Sequence, residues 1–563
     1  MNSHALSITP TQGLSHVKGP TGRPLLEATI PDFLAEVIRR HGDRPAAVFS
    51  QTGDRWSYIE FADKVDQMAA GLLALGLYKG DRVGIWSPNR PEWLLAQFAT
   101  ARIGVILVNI NPAYRLSELE YALNKTGAKA IIAATRFKSS EYIEMLQELA
   151  PELALAEPGR LRSKRLPHLR TVIQIGDGPA LGCVHFDELM ARGDGGQRAR
   201  LDAISQGLDQ SDPINIQFTS GTTGAPKGAT LTHRNILNNG ISVARAMRLA
   251  PGESLCIPVP LYHCFGMVLG NIAAISYGVK MVFPGEGFDP LETLEALEAE
   301  SCNGVHGVPT MFQAMLDHPE FHRFKLNSLR TGIMAGAPCP VPLMKRVISD
   351  MHCDQMTIAY GMTETSPVSF HTSVEDSLEH KVSTVGRIQP HVEVRIVDLD
   401  GNIVPVGEQG EIQTKGYLVM QGYWDEPEKT AETIVDGWMH TGDLGVIDAD
   451  GYCKVTGRIK DMLIRGGENI YPAEIENFLM THPDVSAAQV FGVPDDKYGE
   501  EVCAWIVPRG PDLTEETVRE FCKQNIAHFK VPRYILFVDE FPMTVTGKPQ
   551  KFIMRDQMIT KLS

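Results

Sequence analysis

The sequence predicts an α/β fold: a large N-terminal domain of doubly wound α/β subdomains with a small β-rich subdomain, followed by a small, mobile C-terminal α+β domain. Short apolar runs alternate with segments of helical spacing, a pattern typical of mostly parallel sheets covered by helices on both faces. Past Gly386 the pattern changes to short strands separated by turns, which indicates the β-rich part. With 563 residues, 43% of them hydrophobic, the chain is long enough for several cores.

The individual elements follow from periodicity and turn residues. In the first quarter of the chain we predict strands over Arg82–Ser87, Gly104–Ile110 and Ala128–Ala133, with helices over Glu92–Arg102 and Leu116–Asn124. The alternation returns between Pro213 and Tyr360, whereas the basic, proline-containing stretch 155–170 is predicted to be a loop.

The last part of the chain separates into two regions. Turns at Asp400-Gly401 and Asp450-Gly451 are typical of hairpins in a β-rich subdomain over 386–457. From about Asp461 another α/β unit begins, with strands over Ala487–Val493 and Glu501–Val507. We therefore predict an N-terminal domain over 1–459 and a mobile C-terminal domain over 460–563, with a hinge near Lys460.

One loop carries the strongest chemical signal. It follows an apolar run and precedes a segment of helical spacing that starts at His233, so we predict that it joins a strand to a helix. Its glycines let backbone N–H groups turn toward an anion, its hydroxyls add donors, and its lysine supplies a point charge. Because Pro226 precedes Lys227 and no Ser or Thr follows, it is not a Walker A loop. The predicted phosphate-binding residues are Thr219, Ser220, Gly221, Thr222, Thr223, Gly224, Ala225, Pro226 and Lys227.

A second motif, Tyr360-Gly361-Met362-Thr363-Glu364, combines three useful side chains. The aromatic ring can stack on a purine, Thr363 can donate to a phosphate oxygen, and Glu364 can bind the Mg²⁺ that accompanies a nucleotide. Taken alone, Glu364 is also explained as a solvated acid. The turn Gly336-Ala337-Pro338 follows a predicted strand, and an ordinary strand-to-helix turn explains it nearly as well as a nucleotide contact.

Further candidates lie in the C-terminal third. Asp443 has a carboxylate that can accept hydrogen bonds from both hydroxyls of a ribose, and Arg458 follows the next hairpin, within reach of ribose or phosphate. An aspartate beside a glycine is often only a turn residue. Lys548, in Thr546-Gly547-Lys548, is by itself most simply a solvated surface lysine.

Taken together, these motifs resemble those of the acyl-adenylate-forming (AMP-binding) enzymes, which include acyl-CoA synthetases, non-ribosomal peptide adenylation domains and beetle luciferases. The phosphate loop and the motifs at Tyr360, Thr441-Gly442-Asp443, Gly457–Asp461 and Thr546–Lys548 follow the order and spacing of that family. The resemblance covers nearly the whole chain. It implies ATP, Mg²⁺ and CoA as cofactor and co-substrates, with a carboxylic acid as the substrate.

The resemblance also implies roles. Lys548 would pair with the α-phosphate and the acyl carboxylate, the phosphate loop with the β- and γ-phosphates, and Gly336-Ala337-Pro338 with the adenine. In that family the C-terminal domain then rotates about a hinge, here Lys460. The rotation removes Lys548 and brings a second loop, Gly466-Gly467, to the cleft for attack by the thiol.

The substrate is inferred from the acyl pocket that the resemblance implies. Gly361 stands where acetyl-specific relatives have a tryptophan, so we expect an open tunnel. The expected walls, Tyr262–Met267 and Val305–Pro309, together supply aromatic, sulfur and aliphatic surface rather than charge. His263 is expected either near the carboxylate or in packing. The runs Tyr262–Gly266 and Ile464–Pro472 most resemble medium-chain acyl-CoA synthetases, and Ile464 replaces a lysine of hydroxycinnamate ligases and luciferases.

Composition limits the partners and the compartment. A net charge of −15 disfavours nucleic acid. Nine cysteines without a Cys-x-x-Cys pair argue against a zinc site and a disulfide framework. The N-terminus has no basic start or apolar core of a signal peptide, and no stretch is long enough to span a membrane. We expect a cytoplasmic protein, with transient membrane contact and a homodimer left open.

Three functions compete at this point. The leading one is an ATP-dependent acyl-CoA ligase for medium-chain or branched fatty acids. The second is a stand-alone adenylation enzyme that loads an acyl or aryl acid onto a carrier protein, and the third is a non-catalytic nucleotide-binding sensor. The presence of Lys548, Glu364 and Asp443 together argues against the sensor.

Overall fold

The structure is a computed structural model that describes residues 8–176, 178, 180–219, 226–466, 468–544 and 548–562. The chain forms two compact units. We call residues 19–392 and 415–437 the large unit, and residues 1–18, 393–414 and 438–563 the small unit. The predicted mixture of helices and strands is confirmed, with a large N-terminal part and a small C-terminal part.

Among its described residues, the large unit contains two extended sheets, and most neighbouring strands in them are parallel. The eight-stranded sheet has the spatial order Val184–His185, Thr171–Ile175, Ala130–Ala134, Arg82–Trp86, Ile106–Asn109, Pro213–Thr219, Lys227–Thr232 and Gly422–Tyr423. The nine-stranded sheet has the order Arg387–Ile388, Val368–His371, Gln355–Gly361, Thr331–Ala335, Gly304–Gly307, Ser254–Cys256, Lys280–Phe283, Pro45–Phe49 and Arg55–Ser57.

Helices connect these strands. In chain order they are Ile30–His41, Tyr58–Ala74, Pro91–Arg102, Leu116–Thr126, Tyr142–Leu149, Phe186–Arg192, Gly195–Arg198, Leu201–Gln206, His233–Ala246, Phe265–Ile272 (a π-helix), Ala273–Ser276, Pro290–Ala299, Pro309–Leu316, Val341–Asp350, Leu378–Ser383 and Pro427–Thr433. The stretch 155–170, predicted as a loop, contains no helix or strand apart from Leu155, the last residue of the 3₁₀ helix Pro151–Leu155.

Each sheet of the large unit packs its own apolar core. On the eight-stranded sheet, the ring of Trp86 stacks on that of Tyr142, with centroids 3.8 Å apart, within a buried cluster. A second cluster around Phe312 and Met334 covers the nine-stranded sheet. Because parallel strands are buried on both faces, the strand Ala130–Ala134 is wholly apolar and buried. This explains why apolar runs identified the strands correctly.

One predicted connection is wrong. The phosphate loop joins two antiparallel strands, Pro213–Thr219 and Lys227–Thr232, and not a strand to a helix. The segment Gly228–Thr232 is short and rich in threonine, a residue favoured in strands. Thr232 then caps the following helix: its hydroxyl accepts from the Asn235 backbone N–H, and the Asn235 side chain accepts from the Thr232 backbone N–H. The loop is therefore the tip of a hairpin.

Two further sheets are formed mainly by residues of the small unit. The first includes the antiparallel strands His16–Lys18, Val392–Val397, Gly410–Gly416, Trp438–Ile447 and Cys453–Arg458. The second has the strands Glu468–Ile470, Leu463–Arg465, Gly499–Pro508, Val485–Asp495 and Tyr534–Phe537, with helices Pro472–Leu479, Glu515–Asn525 and Lys551–Leu562. The predicted strands at 487–493 and 501–507 lie within the longer observed ones.

The Asp-Gly turns predicted in the β-rich region are present. Gly401 and Gly451 have φ of 83° and 82°, in the left-handed region that favours glycine. Among the described residues, no helix has both the length and the apolar character needed to cross a membrane.

Candidate active site

The hairpin that carries the phosphate loop begins and ends in regular strand pairing. Thr219 and Lys227 are register partners, and the Thr219 hydroxyl donates to the Lys227 carbonyl over 3.4 Å. The Pro226 carbonyl accepts from the Tyr121 hydroxyl at 3.2 Å. The six residues of the tip lie outside the described residues: Ser220, Gly221, Thr222, Thr223, Gly224 and Ala225. The paired strands nevertheless fix the positions of Thr219 and Lys227, which flank the tip.

The predicted lysine and the predicted metal-binding acid meet at a tyrosine. The Lys227 Nζ lies 4.8 Å from the centroid of the Tyr423 ring. The Tyr423 hydroxyl donates to Glu364 Oε1 over 2.9 Å. Burial, and then the negative charge of Glu364, raise the pKa of Tyr423 well above its usual range. The hydroxyl therefore keeps its proton and remains a donor to the carboxylate.

Glu364 is held from its backbone as well. It lies in the short 3₁₀ turn Thr363–Thr365, and its carbonyl accepts from the Met420 N–H at 2.9 Å. The residue is only 5% exposed, which excludes the interpretation of a solvated acid. Next to it, the Met362 N–H donates to the Pro367 carbonyl at 3.0 Å. Tyr360 is half-buried, with its ring 6.1 Å from that of Phe370.

Gly361 has a different explanation from the one expected. The strand Gln355–Gly361 contains an irregularity between Tyr360 and Gly361, where it pairs with the strand Val368–His371. A Cβ on Gly361 would lie 1.8 Å from the Pro367 carbonyl oxygen and 2.9 Å from Val368 Cα. Close backbone approach therefore requires a glycine here. The expectation that this glycine marks an open acyl tunnel loses its support, and a tryptophan would disturb the strand pair.

The two expected acyl walls contact each other. The ring of Phe265 lies 5.4 Å from that of His306, which joins the run Tyr262–Met267 to the run Val305–Pro309. His306 is fully buried, and its Nε2 donates to the Leu269 carbonyl at 2.9 Å. Burial lowers the pKa of His306 to about 4, so the ring is neutral near pH 7. The contact surface between the walls is therefore uncharged, as a pocket for an aliphatic chain requires.

The first wall is also tied to the strand that leads to the phosphate loop. The Cys264 thiol donates to Gln217 Oε1 at 3.3 Å, and the Gln217 amide donates to the Met267 sulfur at 3.0 Å. Burial raises the pKa of Cys264 to about 12, so the thiol is an inert structural donor. His263 is half-buried, and its Nδ1 accepts from the Phe265 backbone N–H. This contact places His263 at the start of the π-helix Phe265–Ile272, a helix type that is frequent at functional sites.

The glycine turn lies beside the second wall. Gly336 has a φ of 90°, and a Cβ on it would lie 3.2 Å from Val308 Cγ1. The strands before these residues, Gly304–Gly307 and Thr331–Ala335, are parallel neighbours, so both turns lie at the carboxyl edge of the sheet. This is the edge where ligands bind in open α/β sheets. Ala337 is half-buried and Pro338 is exposed.

In the small unit, Asp443 and Arg458 form an ion pair. They are register partners on adjacent strands, and Arg458 Nε donates to Asp443 Oδ1 over 2.7 Å. The Asp443 residue is 4% exposed, whereas the Arg458 side chain is 53% exposed. The predicted spacing of these two residues is thus produced by a single hairpin.

A third charged residue fixes the loop before Asp443. Glu411 Oε2 lies 2.9 Å from His440 Nδ1, and Glu411 Oε1 accepts from the Gly442 N–H at 3.1 Å. The Thr441 hydroxyl donates to the Ile412 carbonyl at 2.6 Å and accepts from the Asp443 N–H. Glu411 and Thr441 therefore orient the turn that presents Asp443.

The remaining candidates lie next to the strand Leu463–Arg465 of the second sheet of the small unit and near the C-terminus. Lys460 is exposed in the 3₁₀ turn Ile459–Asp461. Gly466 has a φ of 60°, and its N–H donates to the Tyr498 carbonyl at 2.9 Å; Gly467 lies outside the described residues. Lys548 is exposed, and its N–H donates to the Thr544 hydroxyl at 2.9 Å. Thr546 and Gly547 are also not described.

Within the large unit, Lys227 and Glu364 thus both contact Tyr423. Within the small unit, Asp443 and Arg458 form a direct ion pair. Reasoning from the sequence missed Tyr423 and Glu411. Both belong to short runs with few polar residues, Gln421-Gly-Tyr-Trp424 and Gly410-Glu-Ile412, and nothing in their spacing indicated a functional contact. Only the strand pairing reveals them.

Glu364 is suitable as a Mg²⁺ ligand without further acidic neighbours. In the described part of the chain, no group of three His, Cys, Asp or Glu side chains could hold a metal ion. Mg²⁺ in nucleotide sites needs only one or two carboxylates, because substrate phosphates and water complete its coordination. The Tyr423 hydroxyl donates to Oε1, which uses one of the roughly four lone-pair positions of a carboxylate. The carboxylate therefore fits a metal brought by the nucleotide.

Comparisons with known proteins identify the family of the chain. A family model described as AMP-binding enzyme matches residues 34–424, and a model of the AMP-binding enzyme C-terminal domain matches residues 474–548. The mitochondrial medium-chain acyl-CoA ligase ACSF2 of Danio rerio is 48% identical over 555 residues, which cover 97% of this chain and 91% of the relative. The putative acyl-CoA synthetase YngI of Bacillus subtilis is 46% identical over 539 residues, covering 95% and 98%.

A solved structure has the same fold over nearly its whole length. The fatty acyl CoA synthetase of Mycobacterium tuberculosis aligns with a TM-score of 0.74 and 27% identity, covering 95% of this chain and 99% of that one.

Proposed function

The chain belongs to the AMP-binding enzyme family and is an AMP-forming acyl-CoA synthetase, and we propose that the acid it activates is a medium-chain fatty acid. The observation that carries the proposal is the uncharged contact between the two acyl walls, where Phe265 packs on the buried, neutral His306. The relatives named medium-chain acyl-CoA ligases support it, because their similarity extends over both units.

The reaction has two steps. In the first, a carboxylate oxygen of the acid attacks the α-phosphorus of ATP, the bond to the β-phosphate breaks, and pyrophosphate leaves. In the second, the CoA thiol loses its proton and its sulfur attacks the acyl carbon, and AMP leaves. No covalent enzyme intermediate is needed, so the protein contributes positioning and charge stabilisation.

We assign these contributions to particular residues. Lys227 and the tip of its hairpin would contact the β- and γ-phosphates, and Lys548 would stabilise the charge that develops on the α-phosphate. Asp443 would accept hydrogen bonds from the ribose hydroxyls, with Arg458 beside it. Glu364 would hold Mg²⁺, which when bound neutralises charge on the phosphates and the leaving pyrophosphate. Gly336, Ala337, Pro338, Tyr360 and Met362 would border the adenine.

The remaining assignments concern the second step and the acid. Lys460 would be the pivot of the movement between the two steps, and the Gly466-Gly467 loop would then face the thiol. His263, held by the Phe265 N–H, would face the acid's carboxylate. Thr363 would donate to a phosphate oxygen.

The substrate test is a chain-length series. The protein is incubated with ATP, Mg²⁺, CoA and saturated acids from acetate to hexadecanoate, and products are identified by mass. We expect kcat/KM to peak for acids of roughly six to twelve carbons, because each buried methylene contributes about 0.8 kcal/mol until the pocket is filled. A maximum at acetate, or acyl-adenylate formation with no thioester on CoA, would contradict the proposal.

A pair of variants tests the pocket wall itself. Phe265→Leu shortens the side chain that packs on His306 and should move the chain-length optimum toward longer acids. Phe283→Leu is the matched control, because Phe283 is a buried phenylalanine on a strand of the nine-stranded sheet, like His306, but its ring stacks on Phe49 at 4.5 Å. The control should lose stability without changing the chain-length profile.

Three further points belong to the proposal. We propose Mg²⁺ as the metal, a homodimer as the assembly to be tested by light scattering, and the cytoplasm as the compartment. The nine cysteines are free thiols, which supports a reducing environment. Cell fractionation tests the location.

A further inference from the structure

Tyr423 contacts two charged side chains that the proposed function places on the phosphates of ATP. Its hydroxyl donates to Glu364 Oε1 at 2.9 Å, and the face of its ring lies 4.8 Å from Lys227 Nζ. Both contacts are made by a single side chain that is 8% exposed. One buried tyrosine therefore joins the predicted metal ligand to the predicted phosphate ligand.

The position of this tyrosine is fixed by its backbone. The strand Gly422–Tyr423 is the edge of the eight-stranded sheet, and Tyr423 pairs with Ala229, two residues after Lys227. The Trp424 N–H donates to the Gly228 carbonyl at 2.7 Å, and the Tyr423 N–H donates to the Thr430 hydroxyl at 2.9 Å. Because the strand is anchored on both sides of Tyr423, the ring has a defined place beside Lys227.

Two other buried tyrosines of the large unit, Tyr142 and Tyr58, make different contacts. The Tyr142 hydroxyl donates to the Pro112 carbonyl, and its ring stacks on Trp86. The Tyr58 hydroxyl donates to the Val279 carbonyl. These are the contacts of ordinary core tyrosines, a backbone acceptor and an apolar neighbour. Tyr423 differs because it contacts two charged side chains.

We propose that Tyr423 is a positioning residue that orients Glu364 toward the metal of the nucleotide and holds Lys227 toward its phosphates; this inference rests on the proposed function. A neutral hydroxyl orients the carboxylate and leaves its negative charge for a cation, which an arginine or lysine in the same place would cancel. The ring face attracts the ammonium in the same way without neutralising it. Both groups keep the charges that Mg²⁺ and ATP need.

Two variants separate the two contacts. Tyr423→Phe removes the hydroxyl and keeps the ring beside Lys227, and Tyr423→Leu removes both. Tyr142→Phe is the matched control, since it also deletes a buried tyrosine hydroxyl but touches neither Glu364 nor Lys227. Thermal unfolding of all variants reports how much stability each loses.

The decisive measurement is nucleotide binding, which needs no acid and no turnover. Calorimetry gives the ATP dissociation constant with and without Mg²⁺, and the ratio measures the coupling between metal and nucleotide. Tyr423→Phe should reduce this ratio about tenfold, as expected for a lost hydrogen bond to a charged group, while ATP binding without Mg²⁺ changes less than about twofold. Tyr423→Leu should also weaken binding without Mg²⁺, by about threefold. Tyr142→Phe should leave both constants unchanged.

A double-mutant cycle tests whether Tyr423 acts through Glu364. Glu364→Gln should itself lower the metal coupling, and adding Tyr423→Phe to it should have no further effect, because residues that act as one unit are not additive. Fully additive effects, or the same metal coupling in wild type and both Tyr423 variants, would overturn the inference.

The outcomes for the two proposals are distinct. If wild-type protein forms medium-chain acyl-CoA but Tyr423→Phe keeps its full metal coupling, only the inference about Tyr423 fails. If the coupling depends on Tyr423 but no fatty acid is converted, the proposed substrate fails and the positioning role stands.

Discussion

The two units each bury one carboxylate near the predicted nucleotide contacts, and they stabilise it in opposite ways. In the large unit, Glu364 accepts from the neutral hydroxyl of Tyr423. In the small unit, Asp443 accepts from the charged guanidinium of Arg458 at 2.7 Å. Both residues are at most 5% exposed. The partner, and not the burial, distinguishes them.

The difference matches the ligands proposed for the two acids. A carboxylate with a neutral donor keeps a full negative charge and can attract a cation. When no cation is bound, burying this charge is less well compensated and therefore costs more free energy. A carboxylate paired with arginine is already compensated and can only accept hydrogen bonds. The first suits Mg²⁺ and the second suits neutral ribose hydroxyls. The neighbour of each acid therefore indicates its ligand.

The largest effect on activity is expected for a substitution of Lys548 in the small unit. Lys548→Ala removes a positive charge that is needed only while the α-phosphate gains negative charge, so ATP-dependent adenylation should fall about a thousandfold. Formation of acyl-CoA from supplied acyl-adenylate should change little. Single-turnover assays of the two half-reactions measure this. Equal losses in both half-reactions would show that Lys548 has another role, and Lys551→Ala, a nearby lysine that pairs with Glu476, is the control.

The comparison between the two acids is tested directly by amide variants. Glu364→Gln should lower the adenylation rate about a hundredfold and raise the Mg²⁺ concentration needed for half-maximal rate, because it removes the charge that binds the metal. Asp443→Asn should raise the KM for ATP about tenfold with little change in the Mg²⁺ requirement. Initial rates over a grid of ATP and Mg²⁺ concentrations separate the two effects. A similar Mg²⁺ dependence in both variants would show that Glu364 and Asp443 do not differ in their contribution to metal binding.

The pivot between the half-reactions is the next target. Lys460 lies exposed in a 3₁₀ turn between two strands of the small unit, and proline there fixes φ and removes a backbone N–H. We expect Lys460→Pro to preserve adenylation and to slow transfer to CoA about tenfold or more. Lys460→Ala, which leaves φ free, should retain both steps. If the proline variant makes acyl-CoA at the normal steady-state rate, the pivot lies elsewhere.

Residues in dense local motifs were proposed as site residues from the sequence, whereas residues that strand pairing brings to the site were not. Glu364 and Lys227 belong to dense motifs, and the Asp443 to Arg458 spacing was explained by one hairpin. Tyr423 follows Lys227 by almost two hundred residues, and only the pairing of its strand with Ala229 brings it there. A tyrosine in an apolar run carries no signal of that contact.

Strands with a clear local pattern were predicted from the sequence, and a strand without one was missed. Buried parallel strands are continuous apolar runs, so Arg82–Trp86 and Ala130–Ala134 stood out. The strand Lys227–Thr232 did not, because it is only six residues long, begins with lysine and glycine, and lies directly before a capped helix. Gly361 shows the same limit: the resemblance suggested open space, whereas the backbone oxygen of Pro367 fills it.

The smallest expected effect is on stability, and it arises from buried histidines of the large unit. His306 and His371 of the large unit are buried, and burial lowers their pKa values to about 4 and about 3. In the unfolded chain each should have a pKa near its usual value of about 6.5. Between that pH and the folded pKa, the unfolded state binds a proton that the folded state does not, so stability falls as the pH falls.

By contrast, His16 and His440 of the small unit contact the carboxylates of Glu393 and Glu411. We therefore expect acidification from pH 7 to pH 5 to destabilise the large unit first, with each buried histidine contributing about 2 kcal/mol at pH 5. Urea unfolding followed by hydrogen exchange, in peptides from each unit, measures this. His306→Asn should reduce the pH dependence of the large unit, while His440→Asn should leave it unchanged. If the large unit unfolds at the same urea concentration at both pH values, the buried histidines are not neutral at pH 7.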